Sequence, residues 1–193
     1  MPILADDLEL IWAPYDRSTY DSVLEKITRR DVVLEIGAGD LRLSMEMAQI
    51  AESVYAIEIQ ATLLPALDQR ATLPENLHII LGDARHIEFP QGVRTGVLLM
   101  RHCTRFTLYS EKIIASGAHR LITNARWGMG VEVVDLTAKR LRYGDLAIGW
   151  YACHCGAAGF KEGPVELLTG AVLDCQNEVT GCPACEAQGK QVH

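Results

Sequence analysis

A short apolar segment followed by a glycine loop is the feature that most constrains this chain. Residues 32–36 read Val-Val-Leu-Glu-Ile, and Gly37-Ala38-Gly39-Asp40 follows at once. Residues 41–52 then carry apolar side chains at helical spacing. Glycines allow a sharp backbone turn and close approach to a ligand. The pattern predicts a buried strand, a ligand-binding turn and a helix in succession.

The same alternation continues along the chain. The predicted strands are residues 32–36, 54–59, 77–81, 96–100 and 120–124. The predicted helices are residues 16–29, 41–52, 61–72 and 108–117. Such alternation indicates βαβ units and a parallel sheet covered on both faces. We therefore predict an α/β, Rossmann-like fold with a mostly parallel, doubly wound sheet.

The alternation ends after the fifth predicted strand. Residues 131–135 form the next strand pattern only six residues later, whereas a parallel crossover needs a dozen or more. We expect an antiparallel strand here, and a further strand near residues 146–153 closing the same edge. The predicted organisation is a Rossmann-like domain over residues 1–149, a small zinc-binding segment over 150–186 and a disordered tail over 187–193.

Composition narrows the class of protein. Hydrophobic residues make up 49% of the chain, too many for a disordered protein, and no apolar run reaches the roughly 20 residues that span a membrane. The N-terminus shows no basic stretch followed by an apolar one, so no signal peptide is expected. We expect a cytoplasmic protein without membrane contact, whose six cysteines are reduced thiols or metal ligands.

Charge is distributed unevenly. The net charge is −7, yet residues 94–142 hold nine basic and three acidic side chains. A basic middle region between acidic flanks can attract an anionic ligand, or it can simply be a solvated surface. The sequence leaves both interpretations open.

Two more acids follow the second and third predicted strands. Glu58 lies about 20 residues after Gly39, where a carboxylate can bind both hydroxyls of a ribose. Asp83 lies just past the third strand, where an adenine would run along the sheet. Because the carboxyl ends of parallel strands meet at one edge, these features predict a single nucleoside site. A nicotinamide-binding domain would instead prefer Gly-x-Gly-x-x-Gly, and position 42 is Arg42.

Three segments resemble a known enzyme family. Residues 33–40, 55–59 and 76–84 are similar to motifs I, II and III of the class I S-adenosylmethionine-dependent methyltransferases, and the resemblance covers roughly residues 15–125. It implies S-adenosyl-L-methionine as cofactor and methyl transfer as the reaction. The cofactor-binding residues that it implies are Glu35, Gly37, Ala38, Gly39, Glu58, Ile59, Asp83 and Ala84.

The resemblance also implies a role for each part of the site. The loop from Gly37 to Gly39 would pass beneath the methionine part of the cofactor. Glu58 would hold the ribose hydroxyls, and Asp83 would bond the adenine amine. Glu35 would orient the loop or the amino group of the cofactor.

The sequence departs from the family pattern in two places. Leu41 stands where the family often has a third glycine. The amino-acid sequences of the three motifs are close to those of the rRNA adenine dimethyltransferases. However, their Asn/Asp-Pro-Pro/Leu-Tyr/Phe motif, which binds an adenine nitrogen, is absent from this chain. The corresponding segment reads Met100-Arg101-His102-Cys103-Thr104. This departure disfavours methylation of an adenine amino group.

The segment after the fourth strand supplies the candidate catalytic residues. Holding donor and acceptor in line can supply about 7–11 kcal/mol of the barrier, and a general base is needed only if the acceptor loses a proton. His102 is the candidate base, and Arg101 is the candidate for binding an anionic acceptor. The alternative for His102 is a hydrogen-bonded histidine at a strand end.

Four cysteines near the C-terminus form two close pairs, in Cys153-His154-Cys155 and Cys182-Pro183-Ala184-Cys185. Two such pairs suit a tetrahedral, structural Zn²⁺ site, and they resemble the knuckles of zinc ribbons. We predict Cys153, Cys155, Cys182 and Cys185 as ligands. An iron–sulfur centre, disulfides or free thiols are the alternatives, and the spacing leaves open whether His154 or Cys175 joins the site.

These observations give two hypotheses for function. The first is a methyltransferase that uses S-adenosylmethionine and a small molecule or RNA as acceptor. The second is a non-catalytic, cofactor-binding module that docks a partner through its zinc-bound segment.

Overall fold

The computed structural model describes residues 12–65, 72–128 and 130–187. The chain divides into two compact units. The first comprises the described residues up to Thr104 together with Leu108–Leu136. The second comprises Arg105–Thr107 and the described residues from Thr137 onward, whereas the sequence placed this boundary at residue 150. No described helix is long and apolar enough to cross a membrane.

The first unit contains one six-stranded sheet. Its strands are β1 (Val32–Ile36), β2 (Ser53–Glu58), β3 (Leu77–Leu81), β4 (Thr95–Leu98), β5 (Arg120–Thr123) and β6 (Glu132–Asp135). The strand order is β3-β2-β1-β4-β5-β6. All neighbours are parallel except β5 and β6, which pair antiparallel. The Rossmann-like fold with an antiparallel edge is confirmed.

The apolar runs of the central strands β1, β2, β4 and β5 form strands because both faces of the sheet are buried there. Val33 of β1, Val54 of β2, Val97 of β4 and Ile122 of β5 all have no exposed surface and belong to one hydrophobic core. From β1 the chain adds β2 and then β3 on one side of the sheet, and it then returns to add β4, β5 and β6 on the other side. The direction of strand addition therefore reverses between β1 and β4. Open α/β sheets bind ligands at such a switch point, outside the carboxyl ends of the strands.

Three helices accompany this sheet: α1 (Arg17–Leu24), α2 (Arg42–Ala48) and α3 (Phe106–Ala115). Asp16 caps α1, since its Oδ1 accepts a hydrogen bond from the backbone N–H of Thr19 at 2.8 Å. The helices α1 and α2 are shorter than the helices predicted over 16–29 and 41–52, whereas α3 has the predicted length but begins two residues earlier, at Phe106 instead of residue 108. Of the helix predicted over 61–72, the structure shows a 3₁₀ turn at Ala61–Leu63, and residues 66–71 lie outside the described residues.

The second unit contains a four-stranded sheet in the order β7-β10-β8-β9. Its strands are β7 (Leu141–Arg142), β8 (Gly149–Cys153), β9 (Ala158–Lys161) and β10 (Gln176–Thr180), with short helices α4 (Gly170–Leu173) and α5 (Pro183–Ala187).

The strand predicted near residues 146–153 exists as β8, but its predicted place at the edge of the first sheet is wrong. β8 pairs in parallel with β10 and antiparallel with β9. A partner that lies more than 20 residues further along the chain leaves no local signal in the sequence. The predicted tail, residues 187–193, lies outside the described residues except for Ala187, which ends α5.

Candidate functional site

A cavity of about 480 Å³ lies at the carboxyl ends of β1 to β4 in the first unit. Nearly all the predicted site residues of this unit line it: Glu35, Gly37, Ala38, Glu58, Ile59, Asp83, Ala84, Arg101 and His102. The structure therefore brings together residues at or just beyond the carboxyl ends of four separate strands. Gly39 is joined to the same cavity through a hydrogen bond to Glu58.

The glycine loop is held against β2 by its own backbone. The N–H groups of Gly37 and Ala38 both donate to the carbonyl oxygen of Ile57, at 2.9 and 3.0 Å. Gly37 and Gly39 have φ angles of 76° and 58°, a left-handed conformation that favours glycine. The loop is thus rigidly placed beside the end of β2.

Glu58 ends β2 as a buried carboxylate with 3% of its surface exposed. Its Oε2 accepts the N–H of Gly39 at 2.8 Å, and its Oε1 accepts the N–H of Gln60 at 2.7 Å. These two bonds fix the orientation of the carboxylate, and each oxygen keeps a second lone pair for a ligand. A rigid acceptor pair of this kind can bind two adjacent hydroxyl groups.

Glu35 is the second buried acid of the cavity, with 4% of its surface exposed. The hydroxyl of Ser44 donates to its Oε2. Burial, with the nearby carboxylates of Glu58 and Asp40, raises the pKa of Glu35 to about 8. At neutral pH this side chain is therefore mostly protonated, and a cationic group placed beside it would favour its ionised form.

Asp83 lies two residues beyond β3 and is paired with Arg85. The Arg85 Nε donates to Oδ1 at 2.9 Å and Nη2 donates to Oδ2 at 2.6 Å. These hydrogen bonds lower the pKa of Asp83 to about 2, so the carboxylate is ionised at neutral pH. An adenine amine bonded to Asp83 would share the carboxylate with Arg85, a pairing that the sequence analysis missed.

Residues 12–15 also line the cavity, and sequence analysis missed them. The Trp12 indole lies so close to Gly39 that a Cβ on the glycine would stand 1.9 Å from Nε1. The Tyr15 hydroxyl accepts the backbone N–H of Arg101 at 3.3 Å, and the Arg101 guanidinium lies 4.9 Å from the centre of the Tyr15 ring. In the sequence, the only indication that this segment lines the cavity is its two aromatic residues, Trp12 and Tyr15, just before the first helix.

In the second unit, the four predicted cysteine ligands form one cluster whose sulfur atoms all lie within 4.8 Å of one another. Cys153 and Cys185 are 3.6 Å apart, Cys155 and Cys182 are 3.5 Å apart, and Cys182 and Cys185 are 3.9 Å apart. All four are free thiols, and Cys175, also free, is exposed. Neither Cys175 nor His154 belongs to the cluster.

The parallel sheet, its glycine loop and the acids at the ends of β1, β2 and β3 define the class of S-adenosylmethionine-dependent methyltransferases. Within that class, the model of the ribosomal RNA adenine dimethylase family matches residues 15–114, which is more than half of the chain. The chain belongs to this family.

Relatives named probable ribosomal RNA small subunit methyltransferase A match a shorter part of the chain. The protein of Methanococcus maripaludis (strain C5) is 43% identical over 63 residues, covering 33% of this chain and 24% of the relative. The protein of Methanosarcina barkeri is 44% identical over 62 residues, covering 32% and 22%. The chain therefore spans about a quarter of the length of these relatives.

Part of this chain also resembles a solved structure. A dimethyladenosine transferase from Plasmodium falciparum aligns with a TM-score of 0.46 and 23% identity. The alignment covers 56% of this chain and 42% of the other.

Proposed function

We propose that this chain transfers the methyl group of S-adenosylmethionine to an RNA. The observation that carries the proposal is the convergence of Glu58, Asp83 and the Gly37–Gly39 loop on one cavity of about 480 Å³. Membership of the ribosomal RNA adenine dimethylase family supports both the cofactor and the kind of acceptor.

The residues present fit the cofactor. The Glu58 carboxylate offers two fixed acceptors for the ribose hydroxyls, and the buried Glu35 offers a partner for a cationic amino group. The cofactor, when bound, supplies an electrophilic methyl group on its sulfonium. The protein then has to hold the acceptor in line with that group and exclude water from the path.

The loop after β4 provides the residues for the acceptor side. Arg101 and His102 both line the cavity three and four residues beyond the end of β4. The stacking of Arg101 on Tyr15 holds a positive charge at this edge, which suits the backbone of a nucleic acid. We propose that Arg101 positions the acceptor strand and that His102 accepts a proton wherever the acceptor atom must lose one.

Methyl transfer can be measured directly with tritium-labelled S-adenosylmethionine and rRNA lacking the modification. We expect label in the RNA fraction that ribonuclease releases, and much less label with the Glu58→Ala variant at a cofactor concentration near the wild-type dissociation constant. Binding of the cofactor with no label in RNA, protein or small molecules would contradict the proposal and would favour the non-catalytic module. Label that appears only in small molecules or protein would overturn the assignment of the acceptor.

We further propose that Cys153, Cys155, Cys182 and Cys185 hold a structural zinc ion. A tetrahedral site with Zn–S bonds of about 2.3 Å has sulfur–sulfur edges of about 3.8 Å. Three of the six sulfur pairs are separated by 3.5–3.9 Å, and all four sulfur atoms lie within 4.8 Å of one another. A disulfide requires about 2.05 Å. Since all four ligands come from the protein, the ion would have no open position, and its role would be to stabilise the second unit.

A further inference from the structure

The loop after β4, residues 99–105, is shared between the two units of the chain. It begins after Leu98, which ends β4, and it stops before Phe106, which opens α3. Arg101 and His102 in this loop line the cavity of the first unit. The residues that close the loop and open α3, Arg105–Thr107, belong to the second unit. Contacts within the second unit therefore hold the carboxyl end of a loop that carries both acceptor-side residues.

Within the second unit, Phe106 and Thr107 contact the cysteine turn, residues 153–157, which carries the first pair of clustered cysteines. The Thr107 Oγ1 donates a hydrogen bond of 3.2 Å to the carbonyl oxygen of His154. Phe106 has 4% of its surface exposed, and a Cβ added to Gly156 would lie 2.8 Å from the Cβ of Phe106. The start of α3 is thus fixed to the turn by one hydrogen bond and by close packing.

The cysteine turn is itself held by backbone hydrogen bonds. The N–H of Cys153 donates to the carbonyl of Ala157 at 2.7 Å, and the N–H of Gly156 donates to the carbonyl of Cys153 at 2.9 Å. The N–H of His154 donates to the carbonyl of Val179 in β10 at 3.1 Å. Both cysteines of the turn also belong to the four-cysteine cluster. The turn is therefore a firm support for the residues that pack on it.

We propose that the cysteine turn positions the loop after β4 for methyl transfer, and that Thr107 is the positioning residue. Thr107 lies in the first turn of α3, outside the described lining of the cavity, so it acts through the loop. Alignment of donor and acceptor is steep in its effect, since a misplacement of about 1 Å can cost about a hundredfold in rate. The inference rests on the proposed function, because it assumes methyl transfer to RNA.

The cofactor side of the cavity does not depend on this support. The Glu58 carboxylate is held by the N–H groups of Gly39 and Gln60, and all three residues belong to the first unit. A change at Thr107 should therefore impair methyl transfer and leave the affinity for S-adenosylmethionine as it is.

The test compares Thr107→Val with Thr107→Ser in the whole 193-residue chain. Valine keeps the shape of the side chain and removes the hydroxyl donor, whereas serine keeps the donor. We expect Thr107→Val to lower kcat for methyl transfer to RNA about three- to tenfold, as the loss of one hydrogen bond allows. Its KM and its calorimetric dissociation constant for S-adenosylmethionine should match the wild type, and Thr107→Ser should restore most of kcat.

Hydrogen exchange gives a readout that needs no methyl transfer. We expect the amides of residues 99–105 to exchange faster in Thr107→Val and at the wild-type rate in Thr107→Ser. The amides of the Gly37–Gly39 loop should exchange at the wild-type rate in both variants, because that loop is held by contacts of the first unit.

Thr180→Val is the matched control. The Thr180 hydroxyl also donates to a backbone carbonyl of the second unit, that of Leu141, at 3.5 Å. Both valine variants lose one bond of this kind and can lower the melting temperature. Only Thr107→Val should lower kcat and speed exchange over residues 99–105.

Several results would overturn the inference. They are a wild-type kcat in Thr107→Val, a loss in Thr107→Ser as large as in Thr107→Val, and an equal loss in Thr180→Val. Weaker binding of S-adenosylmethionine by Thr107→Val would show that the cofactor site, rather than the loop, had been disturbed. If the wild type methylated no RNA, the proposed function itself would fail, whereas unchanged exchange over residues 99–105 in Thr107→Val would refute the role of Thr107 alone.

Discussion

The backbone N–H of Gly39 donates a hydrogen bond of 2.8 Å to Oε2 of Glu58. This contact joins the glycine loop after β1 to the acid that ends β2, although 19 positions separate the two residues. A single carboxylate thus supports the loop and faces the cavity. We therefore expect the binding of a nucleoside and the shape of the loop to be coupled through Glu58.

The conformation of Gly39 leads to a first prediction. Gly39→Ala would combine a positive φ with a Cβ placed 1.9 Å from the Trp12 indole, so something must shift. Gly92→Ala is the control, because Gly92 also has a positive φ but no atom within 4 Å of the added Cβ. We expect Gly92→Ala to lose about 1–2 kcal/mol of unfolding free energy, and Gly39→Ala to lose more and to weaken cofactor binding. Urea unfolding and calorimetry measure both effects, and equal losses in the two variants would contradict the steric argument.

The raised pKa of Glu35 predicts a pH dependence of stability. The folded protein keeps a proton on Glu35 up to about pH 8, whereas the unfolded chain releases it near the ordinary pKa of 4.5. The free energy of unfolding that Glu35 contributes therefore falls as the pH rises between these two values. The slope for one proton is about 1.4 kcal/mol per pH unit. Urea unfolding between pH 5 and pH 8 should show this slope, in the absence of cofactor.

Glu35→Gln supplies the control for this titration. The amide keeps the shape of the side chain but cannot ionise, so the free energy of unfolding should lose the part of its pH slope that Glu35 contributes. An identical slope in the wild type and the variant would show that Glu35 does not hold a proton in the folded state.

The cysteine cluster predicts a metal-dependent second unit. Metal analysis should find about one zinc per chain, and Cys182→Ser should lose it, with faster hydrogen exchange over residues 137–187. Cys175→Ser is the matched control, because Cys175 is exposed and lies outside the cluster. It should retain both metal and protection. A metal-free protein whose C-terminal amides stay protected would refute the zinc proposal, and iron in place of zinc would correct the identity of the ion.

The parallel sheet was predictable because its central strands β1, β2, β4 and β5 are largely buried apolar runs. Residues 32–36 and 77–81 were predicted with the bounds that the structure shows. The cavity-lining position of the three acids was predictable for the same reason, since the carboxyl ends of parallel strands share one edge. Their roles toward a bound cofactor stay predictions until a complex is measured.

Other features depend on contacts that sequence patterns do not carry. The strand β8 pairs with β10, whose residues follow more than 20 positions later. Residues 12–15 show no periodicity, yet they line the cavity. Leu41 adopts a φ of 67°, a left-handed conformation that favours glycine, so a leucine at this position gave no indication of it. Its side chain is fully buried, so packing holds a conformation that costs about 1–2 kcal/mol outside glycine.

The central claim is that the ends of β1, β2 and β3 bind one nucleoside cofactor, and calorimetric titration with S-adenosylmethionine tests it most directly. We expect the wild type to bind and Glu58→Ala to bind at least about tenfold more weakly, because a carboxylate that accepts ribose hydroxyls is lost. The exposed Glu88 lies outside the cavity, and Glu88→Ala should bind like the wild type. Equal affinities of the wild type and Glu58→Ala would contradict the account.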